Sequence, residues 1–166
     1  MDKQVSGPAS DGVVSKENQL DLSGYFPYLI NRVGAVFVAN FTRDALDAED
    51  LTIVTWRVLA ALSNNGGQRQ TDLAAMTSIE VSTLSRIVAR LLKRGLITRE
   101  RSVSDNREVA VALSAQGRTL VRRLIPIARE HERKAVAKLP ARDLEAARRT
   151  LRAMYDNLAD DPADAD

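Results

Sequence analysis

Cysteine is absent from the 166 residues. That removes disulfides, thiolate zinc sites, iron–sulfur clusters and thiol redox sensing at once. Histidine occurs once, at His131, which leaves little acid–base capacity and no histidine cluster for a metal. Aromatic residues make up only 4 %, so Leu, Val, Ile and Ala must supply most of a core, which suits helix packing. No apolar run approaches the roughly 18 residues of a membrane span. The N-terminus lacks the charged start and apolar stretch of a secretory signal. The expectation is a soluble, cytoplasmic protein with no membrane partner. A Gly-rich phosphate loop and a nucleophile–base pairing are also missing, so neither an enzyme nor a cofactor is expected.

What is present bounds the chain to one compact domain with a real core, since 45 % of the residues are hydrophobic. The formal net charge is only +2, so bulk charge does not point to nucleic acid. Residues 1–21 mix Ser, Gly, Pro, Asp and Lys with few large apolar groups, and a disordered arm is expected there. Residues 159–166 read as an acidic, frayed tail.

Between the tails the punctuation is clear. Ser23 is placed to cap a long helix reaching about Leu46, with Pro27 in its first turns and Leu29, Val33, Val36, Phe37 and Phe41 forming an apolar stripe. A second helix covers about Thr52 to Ser63 and stops at Asn64, Asn65, Gly66 and Gly67. A short helix from Gln70 to Met76 follows, then a tight connection through Thr77, Ser78 and Ile79. The next helix, Val81 to Arg94, buries Leu84, Ile87, Val88, Leu91 and Leu92 and is closed by Gly95. The period then changes to alternation, and Ile97–Arg101 and Glu108–Leu113 read as a strand pair around a polar loop. Ser114 caps a helix to about Lys138 in which Pro126 should introduce a kink. His131 is read as a helix-surface or interface residue. A last helix covers about Ala141 to Leu158, with Leu144, Ala147, Leu151, Met154 and Leu158 on one side.

A short helix, a tight turn and a helix opening with small hydroxyl residues and Arg make a helix-turn-helix candidate. A helix that inserts its N-terminal part into a major groove needs short or donor-bearing side chains there. Val81, Ser82, Thr83, Ser85 and Arg86 meet that demand, and the Arg86 fork can donate two bonds to a guanine edge. Alone, such a face is as readily a solvated surface. The strand pair shifts the balance, because Arg101 and Arg107 flank a loop shaped to reach a neighbouring minor groove or its phosphates. From Arg69 to Arg123 there are eleven cations against five anions, a concentration that favours a phosphate backbone.

The pieces IEVSTLSRIVARLLKRGLITR and RSVSDNREVAVALSAQG carry a family resemblance. The chain resembles the MarR family of regulators, through an Asp-x-Arg pair before an alternating strand and a Leu-Ser-x-x-Gly helix start. The resemblance extends through the C-terminal helices. It implies a mainly α fold with a small β-hairpin wing, a winged helix-turn-helix interlocked as a homodimer through the first and last two helices. The parts would be an arm (1–21), a dimerisation helix (22–50), a DNA-binding lobe (51–113), C-terminal dimerisation helices (114–158) and the tail (159–166). The implied partner is double-stranded DNA carrying a pseudo-palindromic operator, and the implied action is mostly repression. The implied DNA contacts are Val81, Ser82, Thr83, Ser85, Arg86, Arg90, Arg99, Arg101, Asp105 and Arg107, with Arg107 entering the minor groove and Asp105 orienting basic side chains.

Many such proteins are released from DNA by small aromatic acids. Here Tyr25, Tyr28, Arg32 and Trp56, with Arg57 nearby, are the residues available to line an effector cleft. The same aromatics serve equally as core or interface filling, and Arg32 as the partner of an acid across the dimer. The rival to the DNA-binding regulator is a winged-helix module that binds protein only. It would show no salt-dependent binding to any duplex.

Overall fold

The computed structural model of the chain describes residues 19–101 and 109–159. The chain divides into two compact units, residues 1–37 and 38–166. The described part of the first is the beginning of helix α1 (Phe26–Phe41) and the turn before it. Ser23 does not cap this helix. Its amide and hydroxyl donate to the Asp21 carboxylate at 2.9 and 2.7 Å, closing a local turn instead. The apolar stripe of α1 exists as periodicity, but Leu29, Val33 and Val36 are 37, 57 and 56 % exposed among the described residues.

In the second unit α1 ends at the buried Phe41 and passes into a π-helical turn, Thr42–Leu46, and a 3-10 turn, Asp47–Glu49. The sequence reads through this stretch as continuous helix, since side-chain periodicity is blind to a widened turn. The turn buries Ala45 and Leu46. It also sets the Asp44 carboxylate 3.2 Å from the ring of His131, whose edge lies on Phe41 with ring centroids 5.9 Å apart. His131 is therefore partly buried, with a side chain 14 % exposed, which does not fit the surface half of the surface-or-interface expectation.

Helix α2 (Ile53–Asn65) begins where the Thr52 hydroxyl accepts from the Thr55 amide, and stops at Gly66, whose φ of 73° no β-carbon favours. Helix α3 (Gln70–Thr77) ends at Ser78, a non-glycine residue in the left-handed region at φ 52°. Helix α4 (Val81–Lys93) buries Leu84, Val88 and Leu91, spaced to share one face. Its end is a Schellman closure, in which Gly95 donates to Leu92 O and Leu96 to Leu91 O, both at 3.0 Å, with Gly95 at φ 69°. Strands β1 (Ile97–Arg101) and β2 (Val109–Leu113) pair antiparallel in the register Ile97 to Leu113 and Arg101 to Val109. Gln68 adds a third rung by exchanging backbone bonds with Val111 at 2.8 and 2.9 Å.

Helix α5 (Ala115–Val136) runs unbroken through Pro126. Its start is welded to the end of α4. The Ser114 hydroxyl accepts from the Gly117 amide at 2.9 Å and donates to Gly95 O at 2.6 Å. One continuous core joins these elements, with Leu46, Val58, Leu59, Leu73, Leu84, Leu91 and Val111 fully enclosed. Helix α6 (Ala141–Ala159) has no buried residue. Arg148 ties it to Glu132 of α5 at 2.8 Å, and the Tyr155 hydroxyl meets the Ser78 hydroxyl at 3.0 Å. No helix among the described residues is long and apolar enough to cross a membrane.

Candidate nucleic-acid interface

The buried stripe of α4 decides what its other face presents. With Leu84, Val88 and Leu91 turned into the core, Val81, Ser82, Thr83, Ser85, Arg86, Arg90 and Lys93 are all exposed on one helix. Val81, an apolar side chain, is 54 % exposed. Among the described residues no carboxylate forms an ion pair with Arg86, Arg90 or Lys93. Exposed, uncompensated cations on a rigid helix are what a phosphate backbone and guanine edges require.

The remaining cations divide differently from what their count in the sequence implies. Arg94 is a brace. Its guanidinium donates to Asp50 O at 2.7 Å and to Glu49 O at 2.6 Å, tying the end of α4 to the turn before α2. Arg123 reaches the Glu49 carboxylate at 2.8 Å, Arg69 pairs with Asp72 at 2.8 Å, and Arg118 donates to Leu113 O at 2.7 Å. Arg94 and Arg123 brace the lobe across the chain and Arg69 and Arg118 bond locally, while Arg86, Arg90 and Lys93 on α4, Arg99 on β1, and Arg57 and Arg122 are exposed with no carboxylate partner among the described residues. Arg101 ends β1 opposite Val109, the last pair before the connecting residues. Asp105 and Arg107 lie outside the described residues.

One participant was missed. Glu80 enters the sequence reading only as a negative charge, yet it is the N-cap of α4. Its carboxylate accepts from the Ser82 amide at 2.8 Å, from the Thr83 amide at 2.9 Å and from the Ser82 hydroxyl. The Ser82 hydroxyl, then the Ser82 and Thr83 amides, pull its pKa down from 4.5 to about 2, so it is ionised throughout the neutral range. Sequence rules look for Ser, Thr, Asp or Asn at this position, and Glu caps by the same chemistry on a longer arm.

The residues proposed for an effector cleft fall in both units. Tyr25, Tyr28 and Arg32 are exposed on the first, Tyr25 just before α1 and the other two on it. Trp56, on α2, is partly buried against Phe41, with ring centroids 5.4 Å apart and planes at 60°. Arg57 is exposed. Two open clefts of the second unit, about 470 and 410 Å³, are lined elsewhere, the first by Arg118 and Arg122 and the second by Arg94 and Arg123. Among the described residues no group of His, Asp and Glu could hold a metal ion.

Comparison with known proteins agrees with this geometry. The MarR family model matches residues 51–109, which run from the start of the lobe to the first residue of β2. The chain is 29 % identical over 137 residues to the transcriptional repressor NicR of Pseudomonas putida, covering 82 % of this chain and 86 % of that one. A MarR-family transcriptional regulator of known structure from Silicibacter pomeroyi is 33 % identical, with a TM-score of 0.72 over 82 % of this chain and 92 % of that one. BpsR of Bordetella bronchiseptica, whose structure concerns regulation of its DNA binding by 6-hydroxynicotinic acid, is 29 % identical. Its TM-score is 0.68, over 78 % of this chain and 97 % of that one.

Proposed function

The chain belongs to the MarR family of transcription regulators, and from that premise we propose that it acts as a homodimeric repressor on duplex DNA, with α4 reading a major groove and the β1–β2 hairpin reaching the adjacent minor groove. The observation that carries this is the α4 surface, where Val81, Ser85, Arg86, Arg90 and Lys93 stand exposed without a carboxylate partner on a helix anchored by Leu84, Val88 and Leu91. Arg86 supplies the bidentate donor for a guanine edge. Val81 supplies an apolar surface for a thymine methyl, and Arg90, Lys93 and Arg99 neutralise phosphates. Arg101, Asp105 and Arg107 complete the reading at the hairpin, with Arg107 as the minor-groove side chain.

The dimer follows from surface that a single chain leaves wet. Leu29, Val33 and Val36 of α1 and Leu151, Tyr155 and Leu158 of α6 are 37 to 76 % exposed. A two-fold copy covering these stripes removes apolar area from water and repeats the reading head at a fixed spacing. Two recognition helices must stand about one duplex turn apart, roughly 34–36 Å, to enter successive major grooves. A ligand that prefers a dimer of another spacing would therefore weaken DNA binding by linkage. By analogy with BpsR, we assign that role to a small aromatic acid, with Tyr25, Tyr28 and Arg32 as its contacts on the first unit. Trp56 is more simply explained by its packing on Phe41.

The test is fluorescence anisotropy with a duplex selected from a random pool by the purified chain. Binding should weaken steeply with salt, by close to 0.9 in the log–log slope for each phosphate neutralised. Arg90→Ala and Lys93→Ala should each reduce that slope by about one contact and leave base preference alone. Arg86→Ala should lower affinity and relax base preference. Failure to enrich any duplex, or variants that bind as the parent does, would remove the reading.

A further inference from the structure

The reading end of α4 is not uniformly a donor surface. A carboxylate has no proton to give, so the bond between Ser82 and Glu80 runs one way, with the hydroxyl donating and the carboxylate accepting. Ser82 has one hydroxyl hydrogen, and Glu80 holds it. What Ser82 then offers to an approaching base edge is its lone pairs. Glu80 itself is exposed, and a carboxylate has more acceptor sites than the three donors it engages here occupy. Arg86 lies four residues beyond Ser82 on the same helix, about one turn away, and carries only donors.

We infer that Glu80 sets the hydrogen-bond polarity of this end of α4, so that Glu80 and Ser82 together select base pairs offering an exocyclic amino group, cytosine N4 or adenine N6, to the major groove. The inference rests on the DNA-binding reading above and deepens it. The groove codes guanine by acceptors and cytosine by a donor, so a helix with acceptors at its tip and a guanidinium one turn on can match both bases of adjoining G·C pairs. The fixed negative charge adds a second selection. It repels phosphate oxygens from the tip of the helix, where free amides would otherwise attract them. The tip is thus kept off the backbone and directed to base edges. Glu80 is a positioning residue for Ser82 as well as an acceptor in its own right.

The experiment deletes one amino group at a time. In the duplex selected by the parent chain, each cytosine is replaced in turn by pyrimidin-2-one and each adenine by purine, which removes the exocyclic amine together with its Watson–Crick bond, a loss common to the parent and every variant. With the parent, at least one such deletion in each half-site should weaken binding about tenfold. With Glu80→Ala, which removes every acceptor at that position, the penalty should vanish, whereas Ser82→Ala, Glu80→Gln and Glu80→Asp, each of which keeps an acceptor, should retain part of it. Glu80→Gln should also bind unrelated duplex severalfold more tightly at low salt. If Glu80 were only a helix cap, Glu80→Ala would lower the melting temperature and weaken all duplexes alike with the amino penalties unchanged, and that result overturns the inference. A selected duplex that depends on Arg86 but shows no amino penalty abolished by Glu80→Ala overturns it alone. Failure to select any duplex overturns it together with the DNA-binding reading.

Discussion

Replacing Gly117 by alanine should destabilise the protein, although helix propensity alone predicts the reverse. Gly117 is the third residue of α5, and alanine inside a helix is favoured over glycine by up to about 1 kcal/mol. The backbone of the preceding segment leaves no room for that gain. A β-carbon at position 117 would stand 2.0 Å from Leu96 O, 3.0 Å from Leu96 C and 3.3 Å from Leu113 Cδ2. The nearest of these is backbone, so no side-chain rotation relieves it. Contact distances for such atoms lie well above 3 Å, so α5 must retreat by at least about 1 Å. That movement strains the bonds from Ser114 to Gly95 O and from Arg118 to Leu113 O, which join the recognition helix, the hairpin and α5. Overpacking of this kind costs about 1–3 kcal/mol and occasionally more. Taking the upper end for a backbone clash and subtracting the propensity gain leaves a net loss of about 2 kcal/mol. For a chain of this size that corresponds to a fall of roughly 4–8 °C in melting temperature. Calorimetry or denaturant unfolding at one fixed protein concentration reads it, since dimerisation would make the midpoint concentration-dependent. A variant as stable as the parent would refute the packing argument and the junction built on it.

Two further outcomes follow from the same geometry. Arg94→Ala should lower stability by about 1–2 kcal/mol, because it strips the donors from Asp50 O and Glu49 O, while leaving the salt slope of DNA binding unchanged. A reduced slope would return Arg94 to the phosphate-binding set. The Glu80 cap should be lost only at low pH. Its folded pKa of about 2 lies below the ordinary 4.5, so its contribution is fully present above about 4.5 and fades as the pH falls towards 2. The stability difference between the parent and Glu80→Gln, measured from pH 7 down to 2, should be flat above 5 and shrink below 4.5. A difference that grows on acidification would show that the carboxylate is not the stabilised form.

The helix-turn-helix and its hairpin were legible in the sequence because their signals are local. Leu84, Val88 and Leu91 repeat at helical spacing, Gly95 supplies the left-handed residue of a closure, and Ile97–Arg101 and Val109–Leu113 alternate. Ser114 was readable as a cap for the same reason, its partner Gly117 being three residues away. The stripe of α1 was readable as a stripe, and as one too large for a small lobe to cover, but periodicity says nothing of what covers it.

By itself, then, the order of residues determined most of the elements and which face of α4 would be wet, because backbone propensity and side-chain period act within a turn or two, but not the start of α1 or its passage into the turns at Thr42–Glu49. Tertiary structure decided which charges are free. Arg94 and Arg86 are the same residue type on adjoining stretches of chain, yet Arg94 is spent on carbonyls 44 and 45 residues away while Arg86 is left open. It also decided that Gly117 is required for clearance from Leu96 O, and that the lone histidine packs on Phe41 instead of facing water. Such outcomes depend on distances between segments remote along the chain, and only the packed core sets those distances.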